Sequence, residues 1–161
     1  MNQLSGPLTM NLKRGDIICA EGENEYDLFI IHSGKILIFV TKGTQVTPLA
    51  HLGSGEYLGE LSFFDKKARS ASAVCLEDTT IIKVPVDEVD KQFPDWLTTL
   101  ATSITSRLRS ADELLAKKGI RKKNVQTMAS LSIEEQREYF GYLEKYRQEN
   151  GLAPLEKKKG K

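Results

Sequence analysis

Two short runs near the middle of the chain carry the residue types with most chemical reach. Gly59-Glu60-Leu61-Ser62 closes a glycine-rich stretch that begins at Gly53, and Arg69-Ser70-Ala71 starts nine residues after Glu60. An arginine presents a planar fork of N–H donors that fits a compact oxyanion, a two-point pairing that lysine cannot reproduce. Ser70 adds a hydroxyl donor. Gly59 lets the backbone approach a ligand closely, and a helical turn beginning near Glu60 aims free N–H groups at an anion. Glu60 itself is an acceptor for a ligand hydroxyl. The plainer alternative, a solvated Glu–Arg ion pair in a turn, stays open at the level of residue types.

Other reactive combinations are sparse. The two histidines, His32 and His51, have no further ligands at metal spacing, so neither a metal site nor a metal-dependent barrel enzyme is expected. Ser54 lies in Gly53-Ser54-Gly55, a turn without the spacing of a nucleophile elbow. No residue is assigned a catalytic role, and no cofactor is expected. Cys19 and Cys75 sit in apolar, β-rich contexts and read as buried thiols of a protein in a reducing cytoplasm.

The elements that must position these residues follow from patterning. With 161 residues, 40% hydrophobic and 28% charged, the chain suits one globular core plus an accessory segment. The longest apolar run, residues 28–40, is interrupted by His32, Ser33, Gly34 and Lys35 and falls short of the roughly 20 residues that cross a bilayer. The first ten residues carry no secretory pattern. From Leu8 to about Pro85, short β-rich segments alternate with glycine-bearing turns, which predicts a sandwich or barrel of jelly-roll type. Ser33-Gly34 reads as a tight hairpin turn between 28–32 and 35–40, and Lys42-Gly43 as another. After Pro85 the period changes. Val86 to Phe93 is a short helix stopped by Pro94, and Asp95 caps a long helix from Trp96 to Lys118, with Gly119 as its stop. Trp96, Leu97, Leu100, Ile104, Leu108, Ala111, Leu114 and Leu115 share one face of that helix. Ser132 and Glu135 form a capping box for a last helix to about Glu149, with Tyr139, Phe140, Leu143 and Tyr146 on one side.

The cassette 53–64 with 68–74, set in a glycine-punctuated barrel ahead of two helices, resembles the phosphate-binding cassette of cyclic-nucleotide-binding domains. That family includes the catabolite activator protein and the regulatory subunit of cAMP-dependent kinase. The resemblance covers about 10–116 and includes Gly15-Asp16-Ile17-Ile18, Gly22 and Ser33-Gly34. Ser62 stands where the family often has alanine, and Ala68 where proline often precedes the arginine; both changes are small. The resemblance implies a mainly β fold with C-terminal helices: a jelly-roll barrel, then a short and a long helix. It implies that Glu60 contacts the ribose 2′-hydroxyl, that Arg69 contacts the phosphate, and that Gly59, Leu61, Ser62, Ser70 and Ala71 complete the cradle. Arg107, Ser110 and Ala111 of the long helix, with Leu114 beside them, lie in the stretch that meets the base; for Arg107 and Arg109 a solvated helix face is the competing reading.

The implied function is a cytoplasmic sensor of cAMP, in preference to cGMP, acting through helix rearrangement. Charge divides unevenly: residues 1–116 carry 11 basic against 16 acidic residues, a net of −5, and 117–161 carry 12 against 6, a net of +6. A basic tail can face nucleic acid, an acidic membrane or an acidic protein, or simply be solvated. The chain accordingly reads as a binding domain, 1–118, and a tail, 119–161, with one amphipathic helix and a lysine-rich disordered end. About 42 residues after Gly119 fall short of a winged helix-turn-helix, so nucleic acid is not the expected partner. A protein effector reached through the long helix or tail is expected, and a homodimer through the apolar stripe is compatible. The tail helix is expected to pack on the chain's own barrel. Two alternatives remain: a DNA-binding regulator of the catabolite-activator type, and an interaction module whose pocket binds nothing.

Overall fold

The computed structural model describes residues 8–89, 93–118 and 129–155. Eight strands run in order: β1 (Leu8–Leu12), β2 (Ile17–Cys19), β3 (Leu28–Ser33), β4 (Ile36–Lys42), β5 (Gln45–Leu52), β6 (Tyr57–Leu58), β7 (Ser72–Cys75) and β8 (Thr79–Val84). Helix α1 (Glu60–Asp65) interrupts them between β6 and β7, and α2 (Val86–Val89), α3 (Asp95–Lys118) and α4 (Ile133–Glu149) follow. The strands form two antiparallel four-stranded sheets, ordered β1-β8-β3-β6 and β2-β7-β4-β5. The jelly roll is thus two facing sheets with successive strands exchanged between them.

Why the chain folds this way is clearest at β4, where consecutive side chains point to opposite faces. Ile36 and Ile38 face inward and join Cys19, Phe29, Ile31, Leu58, Ala73 and Ile81 in the core between the sheets. Leu37 and Phe39 face outward with Val46 and Val74, and there Tyr139 and Leu143 of α4 cover them. A strand buried on both sides is apolar throughout instead of alternating, which explains the run Ile36-Leu37-Ile38-Phe39-Val40. The tail helix therefore packs on the chain's own sheet, as its apolar side required. Its capping box is present, with Glu135 N donating to Ser132 Oγ at 3.2 Å and Ser132 N donating to Glu135 Oε2 at 2.8 Å.

Ser33-Gly34 is not a hairpin. β3 pairs with β6 and β8, and β4 with β5 and β7, so the chain crosses from one sheet to the other at this point. Both strands already have neighbours on each side, which leaves no edge for them to pair with one another. Gly34 (φ 100°) fits the crossing because a Cβ there would lie 2.3 Å from Thr79 Oγ1 and 2.7 Å from Thr79 Cα. The turn at Lys42-Gly43 is a true hairpin, with Lys42 opposite Gln45. Strand β5 continues through Pro48, which is tolerated because β5 is an edge strand and the register shifts opposite it, between Ile38 and Phe39.

One helix start differs from the patterning. Asp95 is the first residue of α3 and not its cap; the carbonyl of Pro94 accepts from Leu97 N at 2.9 Å and begins the helical ladder one residue earlier. The short helix is described over Val86–Val89 and does not include Phe93; 90–92, Gly119, the run 121–123 and the lysine-rich end at 156–161 lie outside the described residues. Part of the α3 stripe lies open to solvent: Trp96, Leu100, Ile104 and Leu108 are 67%, 49%, 49% and 50% exposed. It is the polar side of α3 that faces the cassette, through Thr102, the buried Thr105 and Arg109. The side chains of Leu114 and Leu115 lie outside the described residues.

Candidate functional site

The cassette residues converge. Gly59, Glu60, Leu61, Ser62, Arg69, Ser70 and Ala71 all line one cavity of about 210 Å³, whose apolar wall is Ile38, Ala50 and Leu52 with Cys19 and Leu58, and whose rim includes the exposed Tyr57. The wall comes from β4 and β5, the floor from β6, and α1 begins at the mouth. Gly59 caps α1 with φ 90°, and Phe63 N donates to Gly59 O at 3.0 Å, so the helix starts at Glu60. The N–H groups of its first turn have no acceptor within the helix and point toward its N-terminal end. Glu60 is exposed there, free to meet a ligand hydroxyl.

Arg69 is the centre of the site, and it is 3% exposed. Its Nη1 donates to Gly59 O at 3.2 Å, and its Nη2 donates to Asp27 O at 2.6 Å and pairs with the Glu25 carboxylate. The guanidinium carbon lies 5.5 Å from the centre of the Phe29 ring. Its Nε–H is buried with no hydrogen-bond partner among the described residues. Leaving such a donor unpaired is costly, and a buried donor without an acceptor asks for an occupant.

The carboxylates behind Arg69 are tuned by one another. Burial pushes the Glu25 carboxyl above its ordinary range; the hydrogen bond to Asp27 adds to this and the guanidinium opposes it. For Asp27 burial also acts upward, but hydrogen bonds from Lys83, at 2.7 Å, from Glu25 and from Val86 N–H outweigh it and hold the carboxyl low. Lys83 is raised: partial burial lowers it, and the Asp27 contact more than compensates. Asp27 is a junction. Its backbone carbonyl holds Arg69, and its Oδ1 accepts from Val86 N at 2.8 Å, at the first residue of α2.

The long helix contributes differently from the sequence expectation. Arg107, Ser110 and Ala111 are exposed and do not line the cavity. Arg109 is the residue turned to the cassette: its Nε pairs with Asp65, its Nη2 donates to Asp65 Oδ1 at 3.1 Å and to Ser62 Oγ at 3.3 Å, and Thr102 Oγ1 donates to Phe64 O at 3.2 Å. Two residues along a helix are about 200° apart, so Arg107 and Arg109 face opposite ways, and only the packing of α3 on α1 decides between them. Ser62, where the family often has alanine, thus gives Arg109 a hydroxyl to hold. Glu25, Asp27, Tyr57 and Arg109 are the site residues that sequence reasoning missed. For Glu25 and Asp27 the only signal was two acids at the entry to a strand, and nothing local says that this entry lies beside residue 69.

Cys19, on the cavity wall, and Cys75 are both buried free thiols, and burial pushes them up to about 12 and about 11. They are packing groups, protonated at neutral pH.

The Thermus thermophilus cyclic AMP receptor protein is 34% identical over 146 residues, 88% of this chain, and the chain spans 62% of that receptor's length. The crystal structure of the Thermus thermophilus catabolite activator protein superposes with a TM-score of 0.57 at 26% identity, covering 92% of this chain and 83% of that one. An EAL enzyme solved in its cAMP-bound form gives a TM-score of 0.60 at 30% identity over 69% of this chain and 30% of its own; its cGMP-bound form gives 0.57 at 31%, over 63% and 28%. The sequence model described as "Cyclic nucleotide-binding domain" matches residues 9–94. That match spans more than half of the chain and contains the whole cavity lining, so the chain belongs to the cyclic nucleotide-binding domain family.

Proposed function

We propose that the chain is a cytoplasmic receptor for cyclic nucleotides that prefers cAMP to cGMP, performs no chemistry on its ligand, and reports occupancy to a protein partner. The observation that carries this reading is Arg69, a cavity-lining residue whose buried Nε–H has no hydrogen-bond partner among the described residues. A cyclic phosphate monoanion supplies that acceptor, the first-turn N–H groups of α1 add to its stabilisation, and Glu60 accepts from the ribose hydroxyl. The cavity is smaller than the roughly 300–1,000 Å³ of most small-molecule sites, so it suits the sugar and phosphate and leaves the base toward the rim at Tyr57. cAMP is favoured because Ser70 is compatible with it and because the Thermus relative is a cyclic AMP receptor protein.

Occupancy leaves the site through Asp27, which joins Arg69 to the start of α2, and through the Arg109–Asp65 pair, which ties α3 to α1. A ligand shifts this arrangement only by its differential affinity for the two states. Calorimetry on the intact chain tests the reading. cAMP is expected to saturate one site per chain and cGMP to bind several-fold more weakly. 2′-deoxy-cAMP, which lacks the hydroxyl that Glu60 accepts, is expected to bind about 10–100-fold more weakly than cAMP. No saturable binding of any of the three would overturn it.

A second observation concerns assembly. Trp96, Leu100, Ile104 and Leu108 recur every four residues and present one apolar line to solvent, more than scattered surface residues do. A copy of the same helix covers such a line, and this supports a homodimer through α3. Ile104→Glu, a charge placed in the seam, is expected to raise the dimer dissociation constant at least tenfold. Light scattering across a concentration series reads this directly, and a monomeric wild type would remove the dimer.

A further inference from the structure

A second set of polar contacts holds Arg69 from the side away from the cavity. Residues 20–23 turn between β2 and β3, with Glu23 N donating to Ala20 O at 3.1 Å and Ala20 N donating to Glu23 Oε2 at 2.9 Å. This turn grips the Arg69 backbone in both directions: Arg69 N donates to Glu23 O at 2.9 Å, and Gly22 N donates to Arg69 O at 2.8 Å. Helix α4 closes on the same turn. The Tyr146 hydroxyl donates to Glu23 Oε1 at 2.9 Å and lies 3.1 Å from Oε2, while Arg147 Nη1 donates to Glu21 O at 3.2 Å. Burial, with the Glu23 charge beside it, pushes the Tyr146 phenol up, so it remains a donor.

We infer that Tyr146 is a positioning residue for nucleotide binding: by fixing Glu23 it sets the turn from which the Arg69 backbone hangs, so α4 docking and ligand occupancy strengthen one another. The inference rests on the cyclic-nucleotide reading above. The chain of contacts is short. One carboxylate receives both the phenol and the turn's own Ala20 N–H, and the same residue's carbonyl receives Arg69 N–H. Without the phenol, the Glu23 carboxylate keeps the bond from Ala20 N–H but loses its tie to α4, and the turn gains freedom that Arg69 shares. Tyr139 and Leu143 anchor α4 by apolar packing and Glu138 pairs with Arg14 at 3.5 Å, while among the described residues the polar contacts of α4 with the 20–23 turn come from Tyr146 and Arg147. Thermodynamic coupling is reciprocal, so bound nucleotide must in turn hold α4 more firmly.

The test is a thermodynamic cycle on the intact chain with cAMP as probe, because a proposed route between two sites needs measured coupling. Tyr146→Phe is expected to weaken binding roughly fivefold to tenfold and Glu23→Ala at least as much, with the double variant no weaker than Glu23→Ala alone. Tyr142→Phe, which removes a hydroxyl that donates to Glu138 Oε1 at 2.6 Å within α4, serves as the control and is expected to stay within twofold of wild type. Hydrogen exchange of α4 amides should slow on cAMP addition in wild type and not in Tyr146→Phe. Wild-type affinity in Tyr146→Phe, additive losses in the double variant, or equal losses in the Tyr142 and Tyr146 variants would each overturn the inference. If Tyr146→Phe does not fold, wild-type affinity in Glu23→Ala overturns it. A wild type that takes up no cAMP refutes the nucleotide reading and this inference together, which distinguishes that failure from the others.

Discussion

Arg69→Ala is expected to weaken cAMP binding at least a hundredfold in calorimetry, the largest loss of any single side chain in the site. Charge-assisted hydrogen bonds contribute about 1.5–3 kcal/mol each, and a phosphate held by the guanidinium loses its charged donor outright. A hundredfold corresponds to about 2.7 kcal/mol, the upper part of what one such bond contributes. The same change also reaches the fold. Glu25 loses the guanidinium and, among the described residues, keeps Lys83, at 3.5 Å, as its counter-charge; the carbonyls of Gly59 and Asp27 lose the arginine donor, Gly59 O retaining its bond from Phe63 N. Removing one member of a buried pair costs more than the pair contributes, and a stability loss of about 1–3 kcal/mol is expected in thermal melts. Titrations belong well below the lowered melting temperature, so that lost affinity is read from folded protein. Binding within tenfold of wild type would place the phosphate elsewhere.

Gly59→Ala is expected to imitate that loss without touching a functional group. At φ 90° the new Cβ would stand 2.0 Å from Arg69 Nη1, 3.0 Å from its Cζ and 3.1 Å from Asp27 O. The arginine must leave its seat or the start of α1 must move, and either displaces the phosphate donors. Affinity should fall roughly thirtyfold or more. Gly55→Ala separates this from backbone strain, because Gly55 has a similar φ of 85° and nothing within 4 Å of the added Cβ. Both variants are expected to lose about 1–2 kcal/mol of stability from the left-handed conformation alone. Only Gly59→Ala should lose ligand, and equal affinities in the two variants would mean that Arg69 is not displaced.

How far the sequence carried the reading depended on the distance between cause and effect along the chain. The cassette was legible because Gly59, Glu60, Arg69, Ser70 and Ala71 sit within a dozen residues, and the cavity collects them as the spacing suggested. The α4 start was legible for the same reason, since Ser132 and Glu135 act on one another within a single turn. Ser33-Gly34 misled because a glycine turn between two apolar runs looks alike whether the strands pair or part. Which occurs is decided by pairing with β6, β7 and β8, none of them local. Arg107 and Arg109 were indistinguishable until α3 lay on α1. The partners of Arg69, in Glu25 and Asp27, are more than forty residues away, brought close only because Arg69 N–H meets the turn at Glu23.

The double burial of β4 constrains how this protein can be taken apart or altered. A strand with a wet face tolerates polar replacements on that face; here positions 37 and 39 forbid them as firmly as 36 does, because α4 has taken water's place. A fragment cut at the end of α3 would uncover Leu37, Phe39, Val46 and Val74 together, a contiguous oily surface on a sheet whose border strand β5 is already unpaired along one side. Such a piece is prone to self-association through that surface. Dissections that aim to keep the ligand cavity must therefore retain residues well past α3, even though none of the cavity lining comes from them.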